Sequence, residues 1–190
     1  MSYQYGEEIE YEYKLIEPED KEKLQAFLCG NEQLDYYIHN ELISGDSVYN
    51  EDGLSFKVVD INTNEILAVF SLATSGIIWK VDSFTKLLPA IKVDILAVDL
   101  KYQKLHMDSD SLNSDEPNEH FYFSDSVMCS IIKHCRNIND NYATAKYIIL
   151  YADKKAKRFY ERNMFSDFLD FMEKESNMEI NKNFPMYMEI

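Results

Sequence analysis

Glycine is the scarcest structural device in this 190-residue sequence, and its distribution limits the fold more than any other feature. There are five glycines, Gly6, Gly30, Gly45, Gly53 and Gly76, and none from Ile77 to Ile190. Glycine lets backbone adopt positive φ and approach a phosphate without a Cβ in the way. A P-loop or a dinucleotide-binding fingerprint cannot be written without it, so ordinary nucleotide-triphosphate and dinucleotide enzymes are excluded. Any backbone at positive φ in the C-terminal half is expected to fall on Asn or Asp.

Charge narrows the choice further. With 19 basic and 34 acidic residues the net charge is −15. A field of that sign repels phosphate backbones, so nucleic acid is not expected as a partner. Apolar residues make up 46% and aromatics 14%, enough for a core and too many for a disordered acidic chain. The length suits a single domain over residues 1–190, with 1–10 flexible and 104–123 an acidic insert loop. Cys29, Cys129 and Cys135 are few and unpatterned, which fits a reducing compartment. Met1 to Glu8 lacks the basic and apolar regions of a secretory leader. The longest near-apolar stretch, Ile66 to Trp79, is too short and interrupted to span a bilayer. A cytoplasmic protein with no membrane partner is expected.

Periodicity predicts alternating strands and helices. Tyr11 to Ile16 alternates as a strand, and Glu17-Pro18-Glu19-Asp20 opens a helix with Leu24, Phe27 and Leu28 on one face. Gly30-Asn31 can end it, and Glu32 to Ile43 forms a second helix through Leu34, Tyr37, Ile38 and Leu42. Leu54 to Ile61 and Ile66 to Ser75 form a hairpin about the turn Asn62-Thr63-Asn64-Glu65, with Phe56 and Val58 on one side of the first strand. Gly76 to Pro89 is expected to be a connection of some helical character, and Ala90 to Leu100 a third strand. After the polar loop Tyr102 to Glu119, Ser124-Asp125 can cap a helix to about Arg136. Ala145 to Tyr151 is a strand, Lys154 to Asn163 a helix and Phe184 to Ile190 a last strand. Interleaved elements of this kind make a mixed α/β domain.

No metal site is expected. His106, His120, His134 and Cys135 lack the spacing of zinc ligands, and Asp108-Ser109-Asp110 lacks the glycine and closing glutamate of a calcium loop.

Three segments carry a family resemblance. Leu96-Ala97-Val98-Asp99-Leu100-Lys101-Tyr102-Gln103 resembles the strand and the beginning of the acyl-CoA loop of the GNAT superfamily, the Gcn5-related N-acetyltransferases. Phe159-Tyr160-Glu161-Arg162-Asn163-Met164-Phe165 is similar to that superfamily's second signature, a helix carrying F-Y-E-x-x-G-F. Phe27-Leu28-Cys29-Gly30-Asn31-Glu32-Gln33-Leu34-Asp35 resembles one branch, which also contains toxin-like acetyltransferases.

The resemblance implies a GNAT fold of the α/β (α+β) class, with a mixed, mostly antiparallel central sheet splayed in the middle and helices on both faces. It implies transfer of an acetyl group from acetyl-CoA, the co-substrate, to an amine by direct attack in a ternary complex. Tyr160 would be the general acid that protonates the departing thiolate. Leu96, Ala97 and Val98 would act through backbone groups that pair with the pantetheine arm and polarise the acetyl carbonyl. Asp153 and Ala156, seven and four residues before Tyr160, match helix positions where the superfamily places Asn and a small residue against that arm. Acetyl-CoA is expected between the strand ending near Val98 and the one near Tyr151.

The chain departs from the pattern at its anion loop. The superfamily's glycine positions after Gln103 hold His106 and Asp108. The pyrophosphate is therefore expected at the amides around Ser124 and Asp125, with Gln103 and Lys104 beside them. Met164 replaces the signature glycine before Phe165, at a helix C-terminus, so that loss bears on capping. Lys154, Lys155, Lys157 and Arg158 could meet the 3′-phosphate or form a solvated helix face.

Two functions remain open. One is an N-acetyltransferase acting on a small cationic amine or a lysine-bearing peptide, possible as a homodimer. The other is a degenerate GNAT scaffold that binds a protein partner without acetyl transfer.

Overall fold

The computed structural model describes residues 9–42, 49–50, 53–81, 84–107, 120–168 and 183–190. Expectations for residues 1–8 and for the body of the acidic insert, residues 108–119, lie outside these. The chain divides into two compact units. The first comprises Met1–Leu72 and Ile95–Val127, the second Ala73–Asp94 and Met128–Ile190.

In the first unit, strands β1 (Tyr11–Leu15), β3 (Gly53–Asp60) and β4 (Ile66–Val81) pair antiparallel in the order β1-β3-β4, and the short β2 (Tyr49–Asn50) also pairs with β3. Asp60 builds the β3–β4 turn, its Oδ1 accepting the amides of Asn62 at 2.7 Å and Thr63 at 2.9 Å. Asn64 supplies the left-handed residue at φ 57°. A 3₁₀ turn, Pro18–Asp20, follows β1 and leads into α1 (Lys21–Ala26). Helix α1 stops at Ala26, short of Phe27 and Leu28, because the chain turns extended at Phe27. Phe27 is nonetheless buried, while Leu28 is exposed. Helix α2 (Glu32–Asn40) is capped by Asn31, whose side chain accepts the amides of Gln33 and Leu34.

The alternation of β3 sends its side chains to two buried faces. Val59 joins Ile66, Val69 and Ala97 of the sheet with Leu24, Phe27, Ile38 and Leu42 in one core. Lys57, on that same face, reaches Asp20. On the other face Phe56 stacks on Phe70 at 4.8 Å, with Tyr13 edge-on to both. Tyr11 packs its ring edge against Phe123 at 5.4 Å and bonds Ser126, so the start of α3 (Phe123–Asn141) covers this face.

In the second unit the order is β4-β5-β6-β8-β7, with β5 Phe84–Val98, β6 Tyr147–Ala152, β7 Ser166–Asp167 and β8 Phe184–Glu189. Strand β6 runs parallel to β5 over Ala90–Val93 and antiparallel to β8. Ile77, Ala90, Ile149 and Phe168 form its core with Leu88, Tyr147 and Tyr187. Strands β4 and β5 and helix α3 contribute residues to both units.

The expected helical connection from Gly76 to Pro89 is extended instead, as the ends of β4 and the beginning of β5. The strands pair closely here. A Cβ on Gly76 would lie 2.7 Å from Leu87 Cδ1 and 3.3 Å from the Leu88 carbonyl. β-Branched Ile77 and Ile78 suit the pleat, and Pro89, which has no N–H, still accepts the Lys146 amide. Helix α3 begins at Phe123, one residue before the expected cap, and runs beyond Arg136 because neither Gly nor Pro interrupts it. No described helix is long and apolar enough to cross a membrane.

Candidate active site

The candidate residues of the first unit gather where β5 ends. Leu96, Ala97 and Val98 are its last turnward residues, and Ala97 and Val98 are buried. Asp99, which the motif reading left without a role, organises the exit. Its amide donates to Leu67 O at 3.0 Å, and its carbonyl accepts the amides of Tyr102 and Gln103. Its carboxylate accepts Lys101 N at 2.9 Å and Leu28 N at 3.4 Å. Gln103 is engaged with the backbone. Its Nε2 donates to Val98 O at 2.8 Å and to Cys29 O at 2.7 Å, which braces the backbone. Lys104 is exposed.

At the head of α3, Asp125 is buried and its Oδ2 accepts the Tyr122 amide at 2.9 Å. The amides of Asp125 and Ser126 donate to Tyr122 O, and that of Phe123 to Leu105 O at 2.8 Å. Four amides at this helix start are thus engaged within the chain. Just before it, Leu105–Met107 and Phe121–Phe123 run antiparallel through the His106–Tyr122 bridge and the Met107 N to Phe121 O bond. The rings of His106, His120 and Tyr122 cluster there, the two imidazoles 5.0 Å apart. Burial, and then the charge of His120, push His106 below the ordinary imidazole pKa. Among the described residues no three His, Cys, Asp or Glu side chains are grouped to hold a metal.

The candidate residues of the second unit lie on the turn from β6 into α4 (Lys157–Arg162). Asp153 is not on the helix, as the spacing implied, but in the turn before it. Its carbonyl accepts the amides of Ala156 and Lys157, and its Oδ1 accepts Lys155 N at 2.7 Å. A carboxylate fits this place because the turn offers it an unpaired amide. Ala156 is the N-cap of α4. Lys157, which the basic cluster offered to phosphate, binds Asp167 at 2.7 Å and lies 4.9 Å over the Phe184 ring. Lys154, Lys155 and Arg158 are exposed.

Tyr160 is buried, its ring edge-on to Phe159 at 5.0 Å and Phe165 at 5.8 Å. Burial pushes its pKa up to about 12, so the phenol carries its proton at any physiological pH. The helix ends just beyond. Met164 N donates to Glu161 O and Phe165 N to Tyr160 O, the two bonds of a Schellman cap. The cap demands a left-handed residue, and Met164 supplies it at φ 71°. The expectation that only Asn or Asp would adopt positive φ in this half therefore fails. The side chain of Met164 is 80% exposed, so the strain is confined to the backbone.

No protein-family model matches the sequence, and no curated protein matches it significantly. Solved structures do. A bacterial toxin superposes with a TM-score of 0.67 at 17% identity, covering 94% of this chain and 90% of the toxin. A tyrosine-to-phenylalanine mutant of the toxin AtaT, bound to the C-terminus of the antitoxin AtaR and acetyl-CoA, matches with a TM-score of 0.63 at 16% identity, covering 94% and 92%. AtaT complexed with acetyl-methionyl-tRNAfMet matches with a TM-score of 0.63 at 14% identity, covering 95% of each chain. The chain has the α+β fold of these toxins.

Proposed function

We propose that the chain is an N-acetyltransferase that moves the acetyl group of acetyl-CoA to an amine. The observation that carries this reading is Tyr160, a buried phenol held in its proton-bearing form on the F-Y-E helix. Its support is the fold shared with AtaT, which has been solved with acetyl-CoA and as a tyrosine-to-phenylalanine variant. In the reaction the amine nitrogen bonds the thioester carbonyl carbon and the carbon–sulfur bond breaks. Tyr160 would give its proton to the departing thiolate, and the amine would lose one to water or a carboxylate. Leu96 to Val98 would contribute backbone groups, as would Ala156 beside the pantetheine arm.

The acceptor follows from charge. A net charge of −15 attracts a cation and repels a polyanion, so a polyamine or a lysine-bearing peptide fits better than a charged tRNA. AtaT, complexed with acetyl-methionyl-tRNAfMet, stands on the other side of that choice. An acetylation assay offering a polyamine, a lysine peptide and an aminoacyl-tRNA decides it. Product on the tRNA alone would overturn the cationic acceptor and leave acetyl transfer standing.

One observation favours a second reading. The amides of Tyr122, Phe123, Asp125 and Ser126 are engaged within the chain, where an anion cradle would present them. A non-catalytic scaffold that binds a protein, as AtaT binds the C-terminus of AtaR, is compatible with a closed helix start. Calorimetric titration with acetyl-CoA separates the two. Saturable binding supports the transferase, and no heat at millimolar ligand on folded protein supports the scaffold.

A further inference from the structure

The segment Phe27 to Asp35 carries one of the three resemblances, yet the acetyl-transfer reading gives none of its side chains a part. Its local structure is specific. The carboxylate of Asp35, in the first turn of α2, reaches back to two successive amides, Oδ1 accepting Cys29 N at 2.8 Å and Oδ2 accepting Gly30 N at 3.2 Å. Gly30 sits at φ 81°, and a Cβ there would lie 2.9 Å from Leu100 Cδ2. From the other side, Leu100 N donates to Leu28 O at 2.9 Å and Leu28 N to Asp99 Oδ2 at 3.4 Å. Gln103 Nε2 joins Cys29 O and Val98 O. The stretch Leu28–Gly30 is therefore held by Asp35 and itself holds the chain from Val98 to Gln103.

We propose that Asp35 is a positioning residue that fixes, through the backbone of Leu28–Gly30, the path of the chain as it leaves β5. That path is the one to which the acetyl-transfer reading assigns the grip on acyl-CoA, and the proposal rests on that reading. The residue type follows from the chemistry. Two neighbouring amides form an anion-binding nest, and a carboxylate offers two acceptors and no donor. Asparagine at the same place would set an NH₂ group against one of the amides. The Cys29 thiol takes no chemical part. Burial and the neighbouring Asp35 push its pKa up to about 12, so at neutral pH it is not a thiolate.

The test compares wild type, Asp35→Asn and, acting from the opposite side, Gln103→Met. Each is followed by amide hydrogen exchange, acetyl-CoA titration and steady-state kinetics. Ile38→Val, a core change, controls for lost stability. In both test variants the amides of Leu100 and Gln103 should exchange at least about tenfold faster while those of β3 and β4 stay protected. The KM for acetyl-CoA should rise about tenfold with kcat nearly kept, the pattern of lost binding rather than lost chemistry. Ile38→Val should reproduce neither effect. Unchanged exchange at Leu100 and Gln103, or an equal rise in KM in Ile38→Val, would reduce Asp35 to a stabilising helix residue. A wild-type chain that binds no acetyl-CoA overturns the positioning role together with the acetyl-transfer reading. The exchange data still tell that case from one in which the clasp itself is absent.

Discussion

Tyr160 and Met164 sit four residues apart on one helix end and make opposite demands on the chain. For Tyr160 the demand is burial. If it is the general acid, Tyr160→Phe should lower turnover about 10²-fold or more with acetyl-CoA affinity little changed, read by steady-state kinetics beside calorimetry. Unchanged turnover would make it a packing residue. The same burial has a stability consequence. The folded pKa stands near 12 against an ordinary 10.0, so the native state resists losing the proton. Tyr160 therefore contributes stability fully present below pH 10 and lost as pH rises through 12, on the order of 3 kcal/mol. Denaturant melts at pH 9 and 11.5 should show a smaller alkaline loss in Tyr160→Phe than in wild type. For Met164 the demand is a left-handed backbone, which costs a non-glycine residue about 1 kcal/mol or more. Met164→Gly should raise stability by roughly 0.5–1 kcal/mol, after the extra freedom glycine gains in the unfolded chain. A loss of stability there would mean that the exposed methionine side chain makes a contact worth more than the strain.

Between elements, the most buried ion pair described joins Lys57 on β3 and Asp20 on the 3₁₀ turn, with nitrogen and oxygen 2.5 Å apart. Both side chains are 8% exposed, and the same Asp20 oxygen accepts Glu17 N at 2.8 Å. Removing Asp20 leaves the buried Lys57 ammonium facing the exposed Glu17 carboxylate, 3.4 Å away, as its remaining described partner. Asp20→Ala should cost about 3–5 kcal/mol, whereas Lys57→Met combined with Asp20→Asn should cost much less. Equal losses in the single and double variants, by urea denaturation, would show that the pair is not coupled. A second prediction at this scale concerns the acidic insert. The antiparallel contact of Leu105–Met107 with Phe121–Phe123 closes the base of the insert without residues 109–118. Deleting Ser109 to Asn118 should leave the melting temperature near wild type and keep or improve acetyl-CoA affinity, since it removes three carboxylates. Lost binding on a folded protein would make the insert part of the ligand site.

For the molecule as a whole, net charge sets the prediction. A field of −15 raises the local concentration of a cationic acceptor, and salt screens it. The screening length falls from about 10 Å at 0.1 M to about 3 Å at 1 M. The KM for a polyamine should rise severalfold across that range while that for an uncharged amine stays nearly constant. Parallel behaviour of the two acceptors would remove electrostatics from the choice of substrate.

What could be read from the chain alone was whatever depends on neighbours in sequence. The alternation of Tyr11 to Leu15 and the turn chemistry from Asn62 to Glu65 place β1 and the β3–β4 hairpin. The helical spacing from Val127 to Cys135 places α3, whereas the positive φ of Met164 ran against the expectation of Asn or Asp. Tertiary structure decided the rest, because the deciding partners are distant. Gly76 to Pro89 is extended where β4 and β5 pair, a partnership that the β-branched Ile77 and Ile78 favour locally but do not specify. Asp153 left the helix for the turn because an amide there needed an acceptor. Gln103 bonds Val98 O and Cys29 O, the latter 74 residues away in sequence, and Asp35 and Asp99, inside the segments that carry the resemblance, bind backbone amides, a role the resemblance did not assign them. Hydrogen bonds to backbone leave no periodic trace in sequence, so residues that position a site stay hidden until the fold brings their partners together.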